Sequence, residues 1–199
     1  MNIIAALCLG IGLSAACGFR VFIPPLALSI AAHGGMLTLS SDWQWLASQN
    51  AITALSIAAT VEVLAYFIPW VSNFLDSIEI GIAPIAGMFM TASSLSMAGD
   101  FDPTLLWILT VIAGGVTAET VELGTSITRL SASVTTAGMG GPIVGFVEAI
   151  SSIIISILAI SLPILSTLLV IFLIIYGIRR IFKFIAKRKR RRKMKDVVD

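Results

Sequence analysis

The sequence predicts an all-α, polytopic integral membrane protein of about six transmembrane helices. Two inverted three-helix repeats are expected, each with a short re-entrant or interfacial segment. Three observations carry this. Of 199 residues, 57% are hydrophobic and only 12% charged, against roughly 25% charged in a soluble domain. Mean hydropathy is +1.00. Apolar runs recur at lengths that suit a hydrocarbon core about 30 Å thick.

The elements follow in order. A first span is expected near 2–17, rich in small residues and barely long enough at about 1.5 Å per residue. No basic region precedes it, so it reads as a retained span and not as a cleaved signal peptide. Residues 18–32 form a broken segment, because Pro24 and Pro25 cannot both sit inside a regular helix. His33 to Asn50 reads as an interfacial loop with Trp43 and Trp45 at headgroup level. Spans near 51–70 and 78–97, joined by a short turn from Trp70 to Asp76, complete a first half, 1–98. In the second half, 99–178, Asp102 is placed to cap a helix beginning at Pro103. Spans are expected near 104–122, 142–160 and 163–178. A second broken segment, 124–141, holds Gly124, Gly140 and Gly141 just before Pro142. Residues 179–199 are a basic tail.

Charge sets the expected orientation. Eleven of the thirteen basic residues lie between Arg179 and Lys195, and the chain before them has two cations, Arg20 and Arg129, against nine carboxylates. The positive-inside rule puts the tail in the cytoplasm and the cation-free Asp100–Asp102 loop outside. Both termini are then cytoplasmic. An odd number of crossings per half runs the halves in opposite senses. Arg179, Arg180, Lys183, Lys187 and Arg188 are the expected lipid-headgroup contacts, each attracted to anionic lipid by about 1 kcal/mol. Nothing provides base readout, so no nucleic-acid partner is expected. Cys8 and Cys17 lack ligand spacing and read as free buried thiols.

The sharpest chemical candidates are Glu62 and Glu148. Each follows a valine inside the second strong span of its half. A carboxylate there costs about 2.5–3.5 kcal/mol on insertion scales, so it must be protonated, paired or facing a polar cavity. Burial disfavours the charged form of a carboxyl group, which suits proton loading. The competing account is a structural carboxyl group bonded to a neighbouring helix. Glu119 and Glu122, three apart, share a helical face and either line a cavity or emerge at the interface. Arg20 and Arg129 either pair with membrane carboxylates, bind an anionic headgroup together, or mark the cytoplasmic boundary.

One stretch has a family likeness. Glu62-x-x-Ala65-x-x-Ile68-Pro69, with Asp76 and then Pro84-x-x-Gly87, resembles the signature of a bacterial multi-pass membrane family called domain of unknown function 4126. Gly12-Leu13-Ser14-Ala15 and Gly115-Val116-Thr117-Ala118 resemble its two Gly-initiated segments. The family usually carries an Asp-Lys pair, an Asp and an Arg at positions that here are Tyr66-Phe67, Ser72 and Ala83. Its Lys/Arg-bearing second motif is poorly matched around Gly124 to Arg129. The resemblance implies a fold and a less charged member, and it implies no activity.

Enzymatic readings fare badly. His33 is the only histidine, and no HExxH, GxSxG or Walker A motif is present. Neither metal nor cofactor is expected. The expected function is a small multi-pass transporter or flippase-like carrier that uses an intramembrane carboxylate for proton coupling or contact with a small substrate or lipid. The rival expectation is a non-transporting scaffold or subunit whose polar residues hold helices together. A homo-oligomer is expected, because the body encloses little volume alone.

Overall fold

The computed structural model describes residues 1–99, 101–136, 140–177 and 179. Among them the chain is all-α. Three helical runs, Trp70–Ala98, Pro103–Thr135 and Gly140–Ser161, are long and apolar enough to cross a membrane. Four shorter apolar helices, Ile3–Cys17, Ile23–His33, Gln49–Ala65 and Pro163–Gly177, accompany them.

The first helix, α1 (Ile3–Cys17), is the axis of the structure. Leu9, Gly10 and Gly12 to Cys17 are all buried, and it packs against α4, α6 and α7, defined below. Small residues on several faces allow this, since close backbone approach is what binds helices in lipid. The chain stops at Gly18 and restarts as α2 (Ile23–His33), with a proline in its first turn and Pro24 and Pro25 buried. The expected break is therefore confined to about five residues, and the rest of 18–32 is regular helix.

The stretch expected to be an interfacial loop is in part a 3₁₀ helix, Ser41–Ala47, folded back onto α2. Ser29 Oγ donates to the Leu46 carbonyl, and His33 Nδ1 donates to the Ala47 carbonyl at 2.8 Å. Trp43 is half-buried edge-on against Phe89, with ring centroids 4.7 Å apart. It packs into the core, while Trp45 stays exposed.

After α3 (Gln49–Ala65), the chain turns at Tyr66 to Ile68 and enters α4 (Pro69–Leu95). The turn expected from Trp70 to Asp76 is thus the first two turns of α4. Pro69 in the first helical turn accounts for the earlier start, since its fixed φ favours that position. Asp102 caps α5 (Pro103–Leu109) as anticipated, its Oδ1 accepting from the Thr104 and Leu105 amides at 2.9 and 3.2 Å. A π-helical turn, Thr110–Gly115, leads into α6 (Val116–Thr135). This continuous run is about 50 Å long at about 1.5 Å per residue. The break expected from Gly124 onward is absent there, because Gly124 sits mid-helix and the hydroxyls of Thr128, Ser131 and Thr135 bond back into the α6 backbone. The interruption falls after Thr136, and α7 (Gly140–Ser161) begins on the far side of 137–139, which lie outside the described residues. The next helix, α8 (Pro163–Gly177), is tied to α1 by Thr167 Oγ1 donating to the Cys8 carbonyl at 3.0 Å.

A close backbone approach joins α4 to the π turn. A Cβ built on Gly87 would stand 2.7 Å from the Gly114 carbonyl oxygen and 2.6 Å from Ala118 Cβ. Gly124 has nothing within 4 Å of a Cβ position. Opposite effects are expected from two substitutions. Gly87→Leu overpacks a rigid contact and should cost about 3 kcal/mol or more, whereas Gly124→Ala should gain about 0.5–1 kcal/mol through helix propensity. Thermal unfolding of both purified variants in one detergent checks the sign of each.

Candidate functional site

Five elements converge on one buried cluster of charge. Arg20 lies just beyond the end of α1, fully buried, and Arg129 lies on α6 at 3% exposure. Both guanidinium groups rest against the ring of Tyr66, with Cζ atoms 3.5 and 4.8 Å from its centroid. Cation–π attraction of this kind strengthens when water is excluded.

Carboxylates close the cluster. Arg20 Nη2 donates to the Gly145 carbonyl at 2.9 Å and to Glu148 Oε2 at 3.2 Å. Arg129 Nη1 is 3.3 Å from the same Glu148 oxygen and 3.0 Å from Asp76 Oδ1. Arg129 Nη2 donates to Glu122 Oε1 at 3.0 Å. Glu79 Oε2 is 3.9 Å from each arginine and accepts the Tyr66 hydroxyl at 2.6 Å. That hydroxyl also stands 2.9 Å from Asp76 Oδ1. Glu148 is the hinge of the network, because one of its oxygens serves both arginines.

Glu62 occupies a different place from its expected counterpart Glu148. Its Oε1 accepts the Val21 amide at 2.7 Å and its Oε2 the Phe22 amide at 3.2 Å. Phe22, the residue before α2, offers no side-chain cap of its own. Glu62 therefore satisfies, from a neighbouring helix, the two amides that immediately precede α2, where the helix dipole also favours negative charge.

The remaining candidates scatter. Glu122 is fully buried, and Ser126 Oγ also donates to it at 2.7 Å. Glu119, one turn away, is half-buried and joins no ion pair among the described residues. Gly140, Gly141 and Pro142 open α7. Arg179 is exposed, while Arg180, Lys183, Lys187 and Arg188 lie outside the described residues. Asp76, expected at the end of a short turn, is inside α4 and pairs with Arg129. Tyr66 and Asp76, which the sequence marks only as positions of the family pattern, and Glu79, which it does not mark, complete the network. The usable signal was a stripe on α4, since Glu79, Ala83, Gly87 and Met90 recur every three or four residues and all face inward.

With Glu62 included, five carboxyl groups surround two guanidinium groups. A pair of unit charges 4 Å apart interacts by about 4 kcal/mol at an effective dielectric constant of 20, so the formal excess of three negative charges, with all five ionised, is a large term. The site has capacity for added positive charge. No group of three or more His, Cys, Asp or Glu among the described residues is arranged to hold a metal ion.

A cleft of about 570 Å³ adjoins the network, between the end of α1 and helices α6, α7 and α8. Glu148 stands in its wall, and Thr120, Thr125, Thr128 and Ser151 are its other polar residues.

Removing one arginine tests the network. Arg20→Met removes one of the two cations that Glu148 Oε2 serves, leaving only Arg129, and should cost about 3 kcal/mol. Pairing it with Glu148→Met should recover part of that loss, so the double variant is expected to be less destabilised than the sum of the two single ones. Denaturant melts of the four proteins in matched micelles complete the cycle.

Comparison with curated proteins and with solved structures returns no match. A family model described as "Domain of unknown function (DUF4126)" matches residues 7–183, nearly the whole chain, including both arginines and every carboxylate of the network. This protein belongs to that family of multi-helix membrane proteins.

Proposed function

We propose that this protein is a small membrane carrier in which Glu148, held between Arg20 and Arg129, loads protons as part of the transport cycle. The observation that carries this reading is the imbalance of four buried carboxylates and the half-buried Asp76 against two buried cations, beside a cleft that reaches Glu148. A static scaffold gains no evident advantage from three uncompensated charges, because buried charge without a partner is destabilising. A carrier uses them, since each proton loaded relieves repulsion and each one released restores it.

Cross-pairing supports the inverted-repeat architecture. Arg20, from the break in the first half, meets Glu148 in the second, and Arg129, from the second half, meets Asp76 and Glu79 in the first. Charged sites at the interface of two repeats are a recurring feature of carriers. The basic tail and the positive-inside rule favour cytoplasmic termini and attraction to anionic lipid. One observation favours the scaffold reading for a single residue: Glu62, with both oxygens taken by backbone amides, acts as a helix cap.

Proteoliposomes enclosing a pH-sensitive dye, with a potassium diffusion potential set by valinomycin, separate the two. Wild-type protein should acidify the lumen faster than protein-free vesicles. Glu148→Gln should slow this by about tenfold or more, equivalent to about 1.4 kcal/mol in the barrier. Glu62→Gln should lower the melting temperature, by loss of roughly 1 kcal/mol of capping, and leave flux per folded molecule unchanged. Wild-type flux no greater than that of empty vesicles would sink the carrier reading.

A further inference from the structure

The cleft beside Glu148 has a consistent chemical character. Each hydroxyl in its wall already spends its hydrogen on its own helix. Thr120 Oγ1 donates to the Val116 carbonyl at 2.6 Å, Thr125 Oγ1 to Glu122 at 2.9 Å, Thr128 Oγ1 to Gly124 at 2.9 Å and Ser151 Oγ to Val147 at 2.8 Å. A hydroxyl whose hydrogen is committed presents only lone pairs. The backbone amides on this wall are committed to helical bonds.

Glu148 adds an acceptor with unused capacity. It is 3% exposed, its Oε2 serves the arginines, and its Oε1 has no hydrogen-bond partner among the described residues. An unmet buried acceptor costs about 1–3 kcal/mol, more when charged. The wall therefore offers acceptors and negative charge and no free donor. The rest of it is apolar: Phe19, Leu123, Ile127, Val147, Ile155 and Leu173. At about 570 Å³ the cleft lies within the range of ordinary ligand sites, about 300–1,000 Å³.

We infer that the cleft bounded by α6, α7 and α8 binds an amphiphilic primary amine, its ammonium head on Glu148 Oε1 and its hydrocarbon body between the helices. Charge complementarity selects the occupant. An ammonium brings three donors and no acceptor, which matches a wall of acceptors, and its charge offsets part of the carboxylate excess. A carboxylate or phosphate head meets neither a donor nor a cation on this wall. A neutral alcohol brings one donor and no charge. The inference rests on the carrier reading for its choice of Glu148 and names the substrate class of that site.

A dodecylammonium probe with a diazirine in its chain, photolysed with the full chain in lipid nanodiscs and mapped by peptide mass spectrometry, tests it. Label should fall on 120–128 and 144–155. Excess dodecylammonium should suppress it, and dodecanol and dodecanoate should compete at least about tenfold more weakly. Glu148→Gln should abolish the preference for the amine over the alcohol. Gly124→Leu, which enters open space at the cleft wall, should reduce labelling by all chains alike, and it stands as the second variant if Glu148→Gln does not fold. Equal competition by dodecanol, or labelling unchanged in Gly124→Leu, would overturn the proposal. Labelling without proton flux keeps this site and removes the carrier; flux without labelling does the reverse.

Discussion

The structure depends on a charge that cannot be left alone. Arg20 is fully buried in a protein made mostly of apolar helices, and an isolated guanidinium there is far costlier than the few contacts it makes. Its position between α1 and α2 is fixed by the Gly145 carbonyl, by Glu148 and by the face of Tyr66. Those partners come from α7 and from the end of α3, so one side chain sets the approach of three elements. The net energy of such a network is small once desolvation is counted, but the loss on breaking it is large. Its effect is therefore on which arrangement is adopted more than on how stable that arrangement is.

Glu62 serves the same end by a different route. A chain that breaks inside a membrane exposes amides with no water to satisfy them. The break at 18–22 is the place where Arg20 must point inward, and it survives because Glu62 accepts two of its amides. Two carboxylates that looked equivalent along the chain thus divide the work. One holds the break open, and the other meets the arginine that the break presents.

The helical class, the cap at Asp102 and the importance of Arg20, Arg129, Glu62 and Glu148 were legible in the sequence, because composition, capping spacing and rare charge are local signals. The network as an assembly was not. Arg20 and Glu148 are 128 positions apart, and no local pattern encodes their contact. Glu79 was hidden for another reason. Its neighbours Ile78 and Ile80 are apolar and exposed, facing lipid, so the usual rule that polar residues face outward is inverted there. In such a helix the inward stripe is read from small and polar residues, Glu79, Ala83 and Gly87, and not from large apolar ones. The continuity of α6 is not legible locally, because Gly124 and the many Ser and Thr residues after it suit a broken segment as well as a helix. In place, Thr120, Thr128, Ser131 and Thr135 return their hydroxyl hydrogens to carbonyls four residues back, which lets a polar sequence remain helical in apolar surroundings.

Arg129 completes the logic of the site, because its bonds are of two kinds. Its bond to Glu122 lies within α6 and travels with that helix, as do the flanking contacts from Ser126. Its contacts with Asp76, Glu79 and Glu148 cross to α4 and α7. A shift of α6 against its neighbours would give up the second set and keep the first, so Arg129 never becomes a lone buried charge. Arg20 has no carboxylate on its own helix and holds its partners only across elements. The π turn that precedes α6, at Thr110–Gly115, is a form of helix that often marks functional sites, and it lies where α4 comes closest. The cost of moving the network is thus lower on the Arg129 side than on the Arg20 side. Glu148, shared by both arginines, is the group whose charge balance such a movement would change first.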